Sequence, residues 1–178
     1  MASSRYDGVQ ITLHWLMALL ILSAFGLALY INTLPLSPVK FKLYAYHKWL
    51  GISVLLLVLV RLAWRLRRGV PPPLAGQPAW QRKAAAGTHH LLYLLMVALP
   101  LVGWAMSSAK GFPVVLFGLI PLPDFVPRDP DLGDRLKLVH MLLAYGLIGL
   151  VGLHALAALK HQFVDRDGTL RRMLPQRD

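Results

Sequence analysis

Histidine is the residue type through which this 178-residue chain can do metal or redox chemistry. It has seven histidines and no cysteine. The missing cysteine excludes disulfides, iron–sulfur clusters, thiolate zinc sites and covalent CxxCH haem attachment. The most informative spacing is that of His140 and His154. Fourteen residues at about 100° each fall about 40° short of four full turns, so both rings project from one helix face, about 21 Å apart along the axis. That separation suits two stacked sites, one near each surface of a membrane. His47 matches the depth of His140, and His14 matches that of His154. Each pair comes from two helices and is placed to clamp one flat cofactor from opposite sides. Two neutral imidazoles approaching an iron axially between apolar walls is the arrangement of bis-histidine haem b. A bare zinc or iron site would want three or four N/O ligands at one depth. The level of His47 and His140 offers only those two. Gly51, one turn after His47, and Gly146, Gly149 and Gly152, between His140 and His154, leave room for a macrocycle.

The elements that must position these rings are membrane helices. Apolar residues make up 56% of the chain and charged residues 15%, against about 25% charged in soluble domains. There is no Glu, and all eight acids are Asp. A soluble protein this poor in charge would expose large apolar patches, so the composition excludes an ordinary cytosolic enzyme, a disordered tail and an acidic binding module. Four segments reach the roughly 20 apolar residues that span a bilayer: about 11–31, 44–66, 86–107 and 136–160. No Asp or Glu lies within them. The first apolar run is longer than a signal-peptide core and no small-x-small cleavage site follows it, so it reads as an uncleaved helix. Pro35 and Pro38 mark one break, and Pro71–Pro72–Pro73 with Pro78 mark another. The third connection, 108–135, holds an apolar stretch, Phe112–Ile120, too short to span and expected at the interface. The expectation is an all-α membrane protein, a four-transmembrane-helix bundle forming one domain over 1–178.

The net charge of +11 sits between apolar runs rather than on a soluble basic face, which argues for membrane orientation and against nucleic acid. Twelve Lys or Arg fall on the side of the two termini and seven on the other. The positive-inside rule therefore places both termini in the cytoplasm. His47 and His140 are then periplasmic, and His14, His89, His90, His154 and His161 lie towards the cytoplasm.

Several motifs resemble the bacterial cytochrome b561 family. They are Arg5-Tyr6-Asp7 followed by Leu13-His14-Trp15-Leu16; His47-Lys48-Trp49-Leu50-Gly51; Arg61-Leu62-Ala63-Trp64-Arg65; His89 with Tyr93 and Ala98-Leu99-Pro100-Leu101-Val102-Gly103; the His140/His154 pair; and Met173-Leu174-Pro175. The likeness covers nearly the whole chain. It implies a di-haem b fold, with two haems b stacked across the bacterial inner membrane. His47 and His140 would bind the periplasmic haem, and His14 and His154 the cytoplasmic one, the same pairs that depth alone matches. His89 fits the family pattern as a competitor at the cytoplasmic site or as a residue near a propionate or quinone. Arg61, about one turn deeper than Arg65, must find an anion or water, and either a haem propionate or snorkelling to the interface meets that need.

Family members that stand alone are similar to superoxide:ubiquinone oxidoreductases, which take electrons from periplasmic superoxide and reduce ubiquinone. A net positive periplasmic face supports this, because a cationic rim steers a small anion. Lys40, Lys42, Lys48, Lys110, Arg135 and Lys137 are the candidates, with lipid-headgroup contact as their plainer role. His161, about 10 Å beyond His154 on the same face, could give a proton or hydrogen bond to quinone, or anchor the helix beside Lys160. The alternative is a cytochrome b subunit that links a periplasmic dehydrogenase or hydrogenase to the quinone pool. For that reading the 108–135 connection is the partner surface.

Overall fold

A computed structural model describes residues 5–74 and 76–175. Four long helices, α1 (Gly8–Thr33), α2 (Pro38–Arg68), α3 (Ala79–Ala109) and α4 (Pro130–Lys160), carry nearly all of its regular structure. Each is longer than its apolar core, and side-chain caps start three of them, α1, α2 and α4. Asp7 caps α1 by accepting from the Gln10 backbone at 2.9 Å, and Gln10 returns the bond in a capping box. Ser37 and Asp129 cap α2 and α4, each followed by a proline at the first helical position. Pro38 thus opens a helix rather than merely breaking the chain. Gly69, at φ 74°, ends α2 in a conformation that favours glycine. All four helices are long and apolar enough to cross a membrane. Leu19, Leu22, Leu153 and Leu156 are exposed on their outer faces, as expected where lipid is the solvent.

The packing is uneven. α1 lies along α2, α2 along α3 and α3 along α4, whereas α1 and α4 touch little. The main apolar cluster joins all four helices through Met17, Val54, Leu55, Val58, Met96 and Leu147. A second cluster, Ile52, Val114 and Leu116 with Trp49, Trp104 and Leu122 against it, closes the end where α3 stops.

The apolar stretch of the 108–135 connection is neither a span nor a plain loop. Val115–Leu116 (β1) and Ile120–Pro121 (β2) form a short antiparallel hairpin. Its Val114 and Leu116 are buried under the bundle, while Phe117, Leu119 and Ile120 remain exposed. The alternation of a strand, two faces at period two, splits one apolar run between core and surface. At the other end, α4 passes into a π-turn at His161–Asp165, and a 3₁₀ turn at Leu170–Met173 folds the chain back. Arg5 Nη2 donates to the Arg171 and Leu174 carbonyls at 2.7 and 3.0 Å, and Trp15 Nε1 to that of Met173 at 2.8 Å. Arg177 and Asp178, counted in the charge asymmetry, lie outside the described residues.

Candidate redox-cofactor sites

His47 of α2 and His140 of α4 face one another with ring centroids 6.2 Å apart and planes 79° apart. The His47 Nδ1 lies 3.0 Å from the Ala24 carbonyl, and the His140 Nδ1 lies 3.1 Å from that of Leu99. A carbonyl only accepts, so Nδ1 carries the proton in both rings and the Nε2 lone pairs are left for a ligand. α2 and α4 share almost no backbone contact. The two rings therefore meet across a space between helices rather than within a packed interface.

Gly103 of α3 holds the His140 ring in place by what it lacks. A Cβ there would stand 2.8 Å from His140 Cε1 and 3.1 Å from Nδ1. Gly146, Gly149 and Gly152, expected to leave room for a macrocycle, each open onto space with nothing within 4 Å of an added Cβ. At the same end of α3, Trp104 Nε1 and Ser108 Oγ are buried without a hydrogen-bond partner among the described residues. That costs free energy unless something accepts from them.

At the other level three imidazoles gather. His14 and His154 have centroids 6.0 Å apart, and His89 and His154 5.4 Å. Arg61 Nη1 stands 3.2 Å from His14 Nδ1. A guanidinium only donates, so in this arrangement the His14 proton is on Nε2, the reverse of His47 and His140. Arg61 and Arg65 both lie over the Tyr93 ring at 5.8 Å. His161 points its contacts away from this group. Its Nδ1 is 2.6 Å from Asp167 and 3.2 Å from Asp165, while Lys160 pairs with Asp165 at 2.6 Å.

The six candidate steering cations divide. Lys40 donates to the Leu34 carbonyl at 2.7 Å and Lys48 to that of Phe112 at 2.9 Å. Lys110 pairs with Asp134 at 2.5 Å, and Lys42 lies 5.8 Å over the Tyr46 ring. Arg135 and Lys137 form no ion pair among the described residues.

A family model described as prokaryotic cytochrome b561 matches residues 5–176. The chain belongs to this family. It is 35% identical over 180 residues to the probable superoxide oxidase CybB of Yersinia pestis, covering 97% of each chain. It is 33% identical to cytochrome b561 homolog 2 of Escherichia coli K12, covering 96% of this chain and 91% of that one. A third relative, cytochrome b562 of Cereibacter sphaeroides, is 32% identical over 97% of this chain and 96% of its own. Membership makes the chain a multi-pass bacterial inner-membrane protein of electron transport, in a family that binds haem b.

The residues present fit that cofactor. Two metal–imidazole bonds of about 2 Å, plus about 1.1 Å from each nitrogen to its ring centre, separate axial rings by about 6 Å, close to the 6.2 and 6.0 Å observed. The Nδ1–carbonyl bonds of His47 and His140 are of the kind that orients an imidazole for a metal. Sequence reasoning did not reach these two carbonyls, since every residue carries one. Nor did it assign a role to Gly103, although the residue lies in a motif that carries the resemblance, or see Asp165 and Asp167 meeting His161.

Proposed function

We propose that this cytochrome b561 family member is a superoxide:ubiquinone oxidoreductase with two bis-histidine haems b. His47 and His140 would hold one at the periplasmic side, and His14 and His154 the other at the cytoplasmic side. Both termini are cytoplasmic in this reading, which rests on the twelve-to-seven distribution of Lys and Arg. The observation that carries it is the pair of facing imidazoles near each end of α4, 6.2 and 6.0 Å apart, across helices that pack loosely or not at all.

Two haems bound in this way supply one-electron transfer between the membrane faces. The chain's own residues do the rest. His47 and His140 are oriented by donating Nδ1–H to Ala24 and Leu99. Arg61, now 3.2 Å from His14 Nδ1, would instead pair with a haem propionate, which would free the His14 Nδ1 to carry its proton, with His89 and Arg65 beside it. Arg135, Lys137 and Lys42 draw superoxide to the periplasmic rim. Lys40 and Lys48, held by the Leu34 and Phe112 carbonyls, add positive potential, while Lys110, neutralised by Asp134, fixes the rim's shape. His161 takes part in proton transfer to ubiquinone. In the net reaction two superoxide anions each lose one electron and leave as dioxygen. One ubiquinone gains two electrons and two protons to become ubiquinol.

The similarity to the probable superoxide oxidase CybB supports superoxide as donor. The test is visible absorption of the purified oxidised protein, mixed anaerobically with stabilised superoxide, with dithionite reduction as reference. Growth of the reduced b-type α-band, abolished by superoxide dismutase added beforehand, is the expected result. Haems that dithionite reduces and superoxide leaves oxidised would remove this reading. The second reading, a subunit coupled to a periplasmic dehydrogenase, draws on the exposed Phe117, Leu119 and Ile120 of the hairpin. A second polypeptide that copurifies and reduces the haems would favour it.

A further inference from the structure

We propose that Asp167 is a positioning residue for quinone reduction, holding His161 through Nδ1–H so that Nε2 is the nitrogen that passes a proton to the quinone. This inference rests on the quinone-reducing reading above and assigns the residue that makes His161 competent for it.

The geometry singles out one carboxylate of two. Asp165 and Asp167 both approach His161 Nδ1, at 3.2 and 2.6 Å. Asp165 is already neutralised by Lys160, at 2.6 and 2.8 Å. Asp167 has no Lys or Arg partner among the described residues; it accepts from Thr169 N at 2.9 Å and from Gln77 Nε2 at 3.4 Å. The contacts of His161 run through Nδ1, and Nε2 has no hydrogen bond among the described residues. A carboxylate that accepts Nδ1–H selects the tautomer with a free Nε2 lone pair and stabilises the imidazolium once Nε2 is protonated, as in catalytic His–Asp pairs.

The surroundings supply the proton and the rigidity. A cavity of about 420 Å³ lined by Gln162, Phe163, Arg166, Asp167, Gly168 and Arg171 opens at this end. A second, of about 250 Å³, lies between Gln77 and the two aspartates. Both reach Asp167, so solvent has access to the pair. The left-handed Arg166 and Gly168, at φ 54° and 79°, turn the chain so that Asp167 comes back to His161. The segment beyond is tied down by Arg5 and Trp15, and by Arg172 donating to the Pro72 carbonyl at 2.9 Å. Burial raises the Asp167 carboxyl, but the bonds from Thr169, His161 and Gln77 outweigh it and hold it at about 2. It is therefore an anion at any working pH and acts by position and charge. Each quinone reduced to quinol consumes two electrons, given by two superoxide anions that leave as dioxygen, and two protons, which enter from cytoplasmic water by way of His161.

The experiment compares wild type, Asp167→Asn and Asp167→Glu as haem-loaded protein in nanodiscs. Two half-reactions are followed separately: haem reduction by superoxide without quinone, and haem reoxidation by a soluble ubiquinone. Asp167→Asn is expected to keep wild-type haem content and superoxide-driven reduction. Its quinone-dependent kcat should fall at least about tenfold with KM unchanged, given the factors associated with positioned general acids. Asp167→Glu should recover much of the loss. Imidazole ¹⁵N NMR should show the Nδ1-protonated tautomer of His161 in wild type and its loss in Asp167→Asn. An unchanged kcat in Asp167→Asn, a loss that appears as raised KM, or an unchanged tautomer would overturn the assignment. Loss of haem or of superoxide-driven reduction in Asp167→Asn, with Asp167→Glu no better, would make the carboxylate structural and equally overturn it. A wild type that superoxide reduces and quinone fails to reoxidise would remove the quinone reading, and the role of Asp167 with it.

Discussion

Replacing Gly103 by alanine should cost the protein one haem and leave the other. An added Cβ would stand 2.8 Å from His140 Cε1 and 3.1 Å from Nδ1, closer than packed carbon atoms tolerate. The ring has little freedom to give way, because Nδ1 is bonded to the Leu99 carbonyl at 3.1 Å and the other edge faces His47. Overpacking of this kind costs about 1–3 kcal/mol, and losing the Nδ1 bond adds about 0.5–1.5 kcal/mol. A combined loss of about 1.5–4.5 kcal/mol, at 1.4 kcal/mol per tenfold, weakens retention at the His47/His140 site roughly tenfold to a thousandfold. The assay is haem per polypeptide by the pyridine haemochrome method on protein purified in detergent. The expected ratio falls from two towards one, as for His47→Ala. Gly87→Ala is the control, since its Cβ meets nothing within 4 Å and a helical Gly→Ala change should stabilise by about 0.5–1 kcal/mol. Two retained haems with a wild-type spectrum in Gly103→Ala would refute both the contact argument and the assignment of His140.

His47→Ala, His140→Ala, His14→Ala and His154→Ala should each lower haem content by about one equivalent, whereas His89→Ala should keep both; a haem lost with His89 instead of His14 would reassign the cytoplasmic pair. Arg135→Gln with Lys137→Gln should slow superoxide-driven haem reduction several-fold at low salt. The difference should shrink as the Debye length falls from about 30 Å at 0.01 M to about 8 Å at 0.15 M, and stopped-flow rates against ionic strength check it. The Asp167 carboxyl is held at about 2 against an ordinary 3.8. A depressed value means that its contribution to the docked C-terminal segment is complete above about pH 4 and drains away between about pH 4 and pH 2. Brief acid pulses followed by pepsin cleavage should therefore expose this segment increasingly in wild type between about pH 4 and pH 2.

Much of the architecture was legible in the chain because a bilayer enforces it. With no water in the hydrocarbon to satisfy the backbone, four long apolar runs can only be helices. The charges between them carry the orientation reading, and the shared depth of His14 with His154 and of His47 with His140 follows from rise per residue alone. Depth along a helix is one-dimensional, so sequence distance determines it.

Lateral arrangement is different, and only the tertiary structure decided it. His89 starts α3 on the same side as His14, and nothing in the spacing says that its ring comes as near to His154 as His14 does. The tautomers depend on which atom stands opposite each Nδ1. Carbonyls of Ala24 and Leu99 face His47 and His140, and a guanidinium faces His14. The hairpin at Val115–Leu116 and Ile120–Pro121 divides one apolar run between core and surface because strand alternation, not hydrophobicity, sets which side chains point inward. Asp167 meets His161 only because a π-turn and two left-handed residues reverse the chain, a local backbone choice that composition and periodicity do not encode. Where a property is set by distance along one helix the amino-acid sequence determined it; where it depends on which neighbouring atom meets a side chain in space, the fold did.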